Sequence, residues 1–180
     1  MTEQEQLMYE IISKISTLDA PLVFKGALIT KLILAENGYM LSERPTNDID
    51  GNWTGEPPTM DELAGIVNKA IEALDYSFIA EPIRTYAPGK SAGIRIVDKE
   101  TGVRLIDIDI TIKPVLGSRT YHYGELSIRG VIPDAVLCDK ISVLSGDRIF
   151  RGKRSYRFNR NGSKINSALW FVQARGIHIC

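Results

Sequence analysis

The sequence predicts an α+β domain in which a small, twisted, mixed β-sheet is flanked by helices. In the first part of the chain, apolar residues recur at the spacing of one helix face, and they do so again after Thr59. Beyond Leu74 the apolar period changes to two, which is typical of half-buried strands. Helices and strands with separate apolar faces pack as layers around one core, so this change of period predicts the fold class.

Two capping boxes and a proline mark helix starts in the sequence. Thr2 with Glu5, and Thr59 with Glu62, have the spacing at which each side chain satisfies a backbone N–H of the other. Both pairs precede apolar residues at helical spacing. Pro133 occupies a favourable first position of a further helix.

Alternating or short apolar runs predict the strands. Gly26 lies between the first predicted strand and a following apolar stretch, which predicts a tight turn into a helix. The turn around Glu100–Gly102 predicts a hairpin between two of the later strands. The predicted strands are 21–24, 48–53, 77–85, 93–98, 103–112 and 124–131.

The composition excludes several classes of protein. The chain has 180 residues, of which 44% are hydrophobic and 24% charged, as in a globular protein with one main domain, predicted at 1–150. No apolar run reaches the roughly 20 residues of a membrane helix, and the N-terminus lacks the layout of a signal peptide. We therefore expect a cytoplasmic protein without a membrane partner. Cys138 and Cys180 offer neither a disulfide framework nor metal-ligand spacing.

The zero net charge conceals an asymmetry along the chain. The segment from Arg148 to Cys180 contains eight basic residues and no acidic ones, whereas the rest has 14 basic against 22 acidic residues. Such a charge distribution is typical of a nucleic-acid-binding arm, of a surface that binds a partner, or of a segment whose origin differs from that of the rest of the chain.

Asp48 and Asp50 form the first candidate catalytic pair. On a strand both carboxylates point to one side, while the intervening Ile49 points to the other. Two neighbouring carboxylates repel each other unless a cation lies between them. Mg²⁺ prefers oxygen ligands and leaves positions open for substrate phosphates, so this pair predicts a metal site for phosphoryl or nucleotidyl transfer.

Asp107 and Asp109 are the candidates for a third carboxylate, again on one face of a predicted strand. Their surroundings are so apolar that an unpaired buried charge there would cost several kcal/mol. A metal would neutralise them. Alternatively, one of the two forms ordinary ion pairs with Arg95 or Arg104, or faces solvent on a half-buried sheet.

Lys25, Gly26 and Ala27 form a candidate phosphate site at the turn between a strand and a helix. Small residues there let the amides of a helix N-terminus approach a phosphate, and the lysine adds positive charge.

Together, Lys25-Gly26-Ala27 and the segment Arg44-Pro45-Thr46-Asn47-Asp48-Ile49-Asp50 resemble the Lys-Gly-Gly and Arg-x-Ser/Thr-x-Asp-Ile/Leu-Asp signature of the AbiEii/AbiGii toxin family. This family of type IV toxin-antitoxin systems belongs to the nucleotidyltransferase superfamily with the DNA polymerase beta-like fold. Leu137 to Leu144 resembles the family's lysine helix, in which Lys140 matches the lysine that meets the nucleotide phosphates. The resemblance covers roughly residues 20 to 151, with Ala27 replacing the second glycine.

The resemblance implies transfer of a nucleotide from an NTP to an RNA (tRNA) or protein hydroxyl, with Mg²⁺ or Mn²⁺ as cofactor and a cognate antitoxin as partner. Asp48, Asp50 and Asp109 (or Asp107) would bind metal and act in catalysis. The implied nucleotide-binding residues are Lys25, Gly26, Ala27, Thr46 and Lys140. Two alternatives stay open: a nucleotide-binding pseudoenzyme that only engages an antitoxin, and a small-molecule nucleotidyltransferase of the antibiotic-modifying sort.

The predicted tail, 151–180, departs from the family, which continues after the lysine helix with an Arg/Lys-Asp-Leu-x-Asp-Leu helix and a helical domain. Codons allowed for Gly152 to Arg160, read one nucleotide later, can yield Glu-Arg-Asp-Leu-Ile-Asp-Leu-Ile-Ala, which predicts a frameshifted or truncated end and impaired activity. The alternative is a basic arm for RNA or DNA, with Tyr156, Phe158 and Trp170 available for stacking.

Overall fold

The structure, a computed structural model, describes residues 2–39, 45–87 and 90–145. These residues form four helices and one seven-stranded sheet. The elements in chain order are α1 (Glu3–Thr17), β1 (Leu22–Lys25), α2 (Gly26–Glu36), β2 (Asp48–Trp53), α3 (Met60–Glu72), β3 (Phe78–Ala87), β4 (Ser91–Asp98), β5 (Arg104–Ile112), β6 (Ser118–Tyr123), β7 (Leu126–Val131) and α4 (Pro133–Ser145).

The sheet is mixed, with the strand order β3-β4-β5-β2-β1-β7-β6. β2 pairs in parallel with β5, and β1 pairs in parallel with β7. The other neighbours are antiparallel. The order places β2, whose first residue is Asp48, at the centre of the sheet between β5 and β1. A central strand pairs with a neighbour on each side, so its backbone is well fixed.

One face of the sheet carries the hydrophobic core. Ile94, Ile108 and Ile49 are consecutive partners across β4, β5 and β2, and all three are fully buried. Residues that pair directly share a face, and residues two apart on a strand do too. Because the aspartates of β2 and β5 alternate with these isoleucines, they lie on the opposite face.

Helices α1 and α2 pack on the core face beside β6 and β7. The rings of Tyr9 on α1 and Tyr123 on β6 stack with centroids 5.0 Å apart. Gly130 on β7 lets α2 approach, because a Cβ at this position would lie 2.7 Å from Cδ1 of Ile29. The side chain of Asn68 ties α3 to β3, where it accepts a 2.7 Å hydrogen bond from the amide of Ala80.

The predicted mixed arrangement of helices and strands is confirmed, and both predicted capping boxes form at Thr2 and Thr59. The predicted hairpin is the antiparallel pair of β4 and β5. One strand was missed: the sequence predicted a single strand at 124–131, but Gly124 with Glu125 forms a turn between β6 and β7. β6 lies at the sheet edge and only Tyr121 on it is buried, so it lacks the apolar alternation of a half-covered strand.

The chain divides into two compact units, Met1–Val136 and Leu137–Cys180. The first unit contains the whole sheet with α1, α2 and α3. Among the described residues of the second unit, 137–145 complete α4. The predicted tail, 151–180, lies outside the described residues, and its interpretations stay predictions. None of the described helices combines the length and the hydropathy required to cross a membrane.

Candidate active site

Four aspartates meet on the face of the sheet opposite the core. In the parallel ladder of β2 and β5, Asp48 is the direct partner of Asp107, and Asp50 is the direct partner of Asp109. Direct partners in a ladder have adjacent side chains on one face. Two Asp-x-Asp pairs that lie more than fifty residues apart in the sequence therefore become one carboxylate cluster.

Asp107 has its charge neutralised by two arginines. Arg95, its cross-strand partner on β4, places Nε 3.1 Å from Oδ1, and Arg104 places a terminal nitrogen 2.6 Å from Oδ2. This is the ion-pair arrangement that the sequence left open for one of the two later aspartates. With both oxygens engaged, Asp107 has little capacity left to bind a metal.

Asp109 differs from Asp107 because its direct partner on β4 is Gly93, which has no side chain to offer. Its Oδ1 is buried and has no hydrogen-bond partner among the described residues. A buried carboxylate oxygen without a partner is costly, and such an atom needs a cation, a water or a proton to satisfy it. This observation favours Asp109 over Asp107 as the third carboxylate of the site.

Gly26 brings the start of α2 against the carboxylate of Asp50. The glycine has a φ of +73°, a conformation that residues with a side chain rarely adopt. A Cβ at position 26 would lie 2.2 Å from Oδ2 of Asp50. Both the positive φ and the short distance to Asp50 therefore require glycine at position 26. The N-terminal amides of α2 lie beside this carboxylate.

Lys25 supplies positive charge to the same face. It is the cross-strand partner of Asp50, and its Nζ donates to Oγ1 of Thr111 on β5 at 3.4 Å. Lys25 occupies the N-cap position of α2, but its side chain forms no hydrogen bond with the backbone amides of the helix. The first turn of α2 contains no acidic residue. Ala27 is exposed in that first turn. The positive end of the helix dipole thus lies beside the carboxylate of Asp50.

Thr46 connects the aspartate cluster to the helices behind it. Its side chain is buried, and its hydroxyl donates to Oδ1 of Asp48 at 3.3 Å. Its backbone amide donates to Oε1 of Glu5 at 3.3 Å. Glu5 in turn forms a buried ion pair with Lys31 on α2.

Glu5 stays ionised although it is buried. Burial by itself raises the pKa of its carboxyl, but hydrogen bonds from Lys31 and from the amides of Thr2 and Thr46 oppose this effect. Together with the charge of Lys31 they leave the pKa of Glu5 below its ordinary value.

The sequence interpretation missed Lys31, Asn52 and Thr111. Lys31 follows Leu28 by three residues and precedes Leu32, so helical spacing already places it on the buried face of α2. Asn52 and Thr111 follow Asp50 and Asp109 by two residues and are direct partners. Asn52 is buried, and its Oδ1 also has no hydrogen-bond partner among the described residues. The spacing of two residues from Asp50 and Asp109 was the signal that could have identified Asn52 and Thr111.

The donor set fits a hard divalent cation. Asp48, Asp50 and Asp109 offer carboxylate oxygens on adjacent strands, and the unpartnered Oδ1 of Asp109 is an oxygen that a cation would satisfy. In the part of the chain that the structure describes, no group of three or more His, Cys, Asp or Glu side chains is already arranged around a metal position.

The roles of all the predicted site residues stay predictions, and for two residues the described part of the chain adds little. Lys140 is exposed on the part of α4 that belongs to the second unit. Arg44 of the sequence signature lies outside the described residues.

No protein-family model matches the chain, and no curated protein does. Among solved structures, the chain is similar to MenT4, a nucleotidyltransferase toxin from Mycobacterium tuberculosis, with 18% sequence identity and a TM-score of 0.45. The match covers 78% of this chain and 51% of MenT4, so the chain spans about half the length of that protein. Membership of the AbiEii/AbiGii family stays a prediction.

Proposed function

We propose that this chain is a nucleotidyltransferase that uses Mg²⁺ or Mn²⁺ to transfer NMP from an NTP to a hydroxyl of an RNA or protein. The observation that carries the proposal is the register of β2 and β5, which pairs Asp50 with Asp109. Two acids on one strand and a third on its parallel neighbour form the donor set that this chemistry needs. The fold we propose is the twisted sheet of the nucleotidyltransferase superfamily.

Asp48, Asp50 and Asp109 would hold the metal. When bound, the ion would neutralise the charge that develops on the triphosphate and polarise the acceptor hydroxyl. Asp107 would have no ligand role, because Arg95 and Arg104 occupy its two oxygens.

The start of α2 would bind the triphosphate. Gly26 lets the helix start lie close to Asp50, and the backbone amides of the first turn would attract negative charge. Lys25 would add its positive charge on the same face. Ala27 keeps the first turn small enough for a phosphate to approach.

In the transfer step, the acceptor oxygen attacks the α-phosphorus of the NTP. The bond between the α-phosphorus and the bridging oxygen breaks, and pyrophosphate leaves with the bond electrons. Asp109 would take the proton of the acceptor hydroxyl on the carboxylate oxygen that does not bind the metal. Lys25 and the amides of α2 would hold the phosphates in line.

The biological setting that we propose is a toxin-antitoxin pair in the bacterial cytoplasm. This part of the proposal rests on the resemblance of Lys25 to Ala27 and Arg44 to Asp50 to the AbiEii/AbiGii signature. A cognate antitoxin would be the protein partner.

A labelling experiment tests the proposal. The purified full chain is incubated with each α-³²P-labelled NTP, Mg²⁺ and total bacterial RNA, beside the double variant Asp48→Asn, Asp50→Asn. We expect label in RNA or protein with the wild type and none with the double variant. NTP binding without transfer would contradict the enzymatic part and favour a nucleotide-binding pseudoenzyme. Label that persists in the double variant would contradict the assigned site.

A further inference from the structure

A buried ion pair lies behind the aspartate cluster, on residues to which the proposed reaction assigns no role. Glu5 on α1 is 3% exposed and Lys31 on α2 is 6% exposed. The Nζ of Lys31 donates to Oε1 of Glu5. A glutamate and a lysine are almost never this deeply buried unless they are paired.

Two hydrogen bonds connect this pair to the first acid of the site, and both involve Thr46. Lys31 and the backbone amide of Thr46 both donate to Oε1 of Glu5, the latter at 3.3 Å. The hydroxyl of Thr46 then donates to Oδ1 of Asp48, also at 3.3 Å. These contacts, from Lys31 through Glu5 and Thr46 to Asp48, thus connect α1 and α2 to β2.

Stability alone gives little reason to bury this pair. The desolvation of two charges commonly exceeds their mutual attraction, and well-packed apolar residues often replace such pairs without loss. Residues behind a metal ligand, in contrast, orient it, and their loss weakens metal binding. Asp48 is exposed at the start of β2, so it is a ligand whose orientation needs support.

We infer that Glu5 and Lys31 are positioning residues for Asp48, which they orient through Thr46. The inference rests on the proposed function, because it gives the ion pair a part in the metal site. It extends that function by assigning a role to residues on α1 and α2 that never touch substrate.

Metal affinity tests the inference, with Mn²⁺ as the probe and electron paramagnetic resonance as the readout on the full chain. The double variant Glu5→Leu, Lys31→Met removes both charges together, so that neither is left buried alone. Thr46→Val removes the hydroxyl and keeps the shape, whereas Thr46→Ser keeps the hydroxyl. Thr59→Ala is the control, because it removes the N-cap hydroxyl of α3, which bonds to Glu62 and not to Glu5.

We expect Mn²⁺ affinity to fall about 10-fold in Thr46→Val and in the double variant, with Thr46→Ser and Thr59→Ala close to the wild type. Thr46→Val decides the role of the hydroxyl even if the double variant fails to fold. If either Thr46→Val or a folded double variant binds Mn²⁺ as the wild type does, the positioning role is wrong and the proposed function stands. If the wild type binds no Mn²⁺, the metal site fails and this inference fails with it.

Discussion

Asp50 on β2 and Asp109 on β5 are direct partners in a parallel ladder. Asp107 lies on the same face of β5, and only the side chains around each aspartate distinguish it from Asp109. Arginines pair with Asp107 at distances of 2.6 and 3.1 Å. Asp109 faces Gly93 instead and keeps one oxygen without a partner within the described residues. The same alternating sequence thus provides one carboxylate with two ion pairs and one with an unpartnered buried oxygen among the described residues.

Gly26→Ala should abolish nucleotide transfer. The added Cβ would lie 2.2 Å from Oδ2 of Asp50, so the carboxylate must move away from the metal position. Gly38→Ala is a matched control, because Gly38 also has a positive φ but has no atom within 4 Å of an added Cβ. Both variants should lose roughly 1–2 kcal/mol of stability through backbone strain. Activity in Gly26→Ala equal to that in Gly38→Ala would contradict the proposed contact between α2 and the site.

Lys25→Met should raise the KM for NTP about 10-fold and leave the fold intact. The loss of a cation from the aspartate face weakens the binding of the triphosphate more than it affects the acceptor. Lys99→Met, at an exposed position in the turn after β4, is the control for a change of net charge. Steady-state kinetics over a range of NTP concentrations measures the effect. An equal KM in both variants would remove Lys25 from the phosphate site.

Acid should destabilise the protein partly through Glu5. Because the folded-state pKa of Glu5 lies below its ordinary value of 4.5, its contribution to stability is present above that value. The contribution is lost as the pH falls through the lower, folded-state pKa. Urea unfolding between about pH 6 and pH 3 should show a shallower loss of stability in Glu5→Gln than in the wild type. Parallel curves for the two proteins would contradict the pKa shift.

Packing around Gly130 should tolerate no side chain. A Cβ there would lie 2.7 Å from Cδ1 of Ile29 and 3.0 Å from Cε2 of Tyr121, so Gly130→Ala should destabilise the protein by about 1–3 kcal/mol. Gly65→Ala, inside α3, meets no atom within 4 Å and should stabilise it by about 0.5–1 kcal/mol. Thermal unfolding measures both changes. A stable Gly130→Ala variant would contradict the packing of α2 against β7.

The sequence predicted most of the elements because their signals are local. The two capping boxes and the strand at 48–53 depend on residues within one short segment, and the structure contains them as predicted. The edge strand β6 was missed because a mostly exposed strand needs no apolar alternation.

The sequence could not predict which residues meet across the fold. It identified Asp107 and Asp109 as equal candidates, since their local patterns are the same. The difference comes from Arg95 on a neighbouring strand, which pairs with one of them and not the other. The ion pair of Glu5 with Lys31 likewise joins two helices whose packing no local pattern gives.

The most direct test of the account compares Asp109→Asn with Asp107→Asn in the labelling assay with α-³²P-labelled NTP and Mg²⁺. Both changes remove one negative charge from the same strand, so they differ mainly in the role of the carboxylate. The account predicts at least a 100-fold loss of transfer in Asp109→Asn, on the order of the contribution of a positioned general base. It predicts transfer within about 10-fold of the wild type in Asp107→Asn, whose effect is confined to an ion-paired structural position. Equal losses in the two variants, or a greater loss in Asp107→Asn, would contradict it.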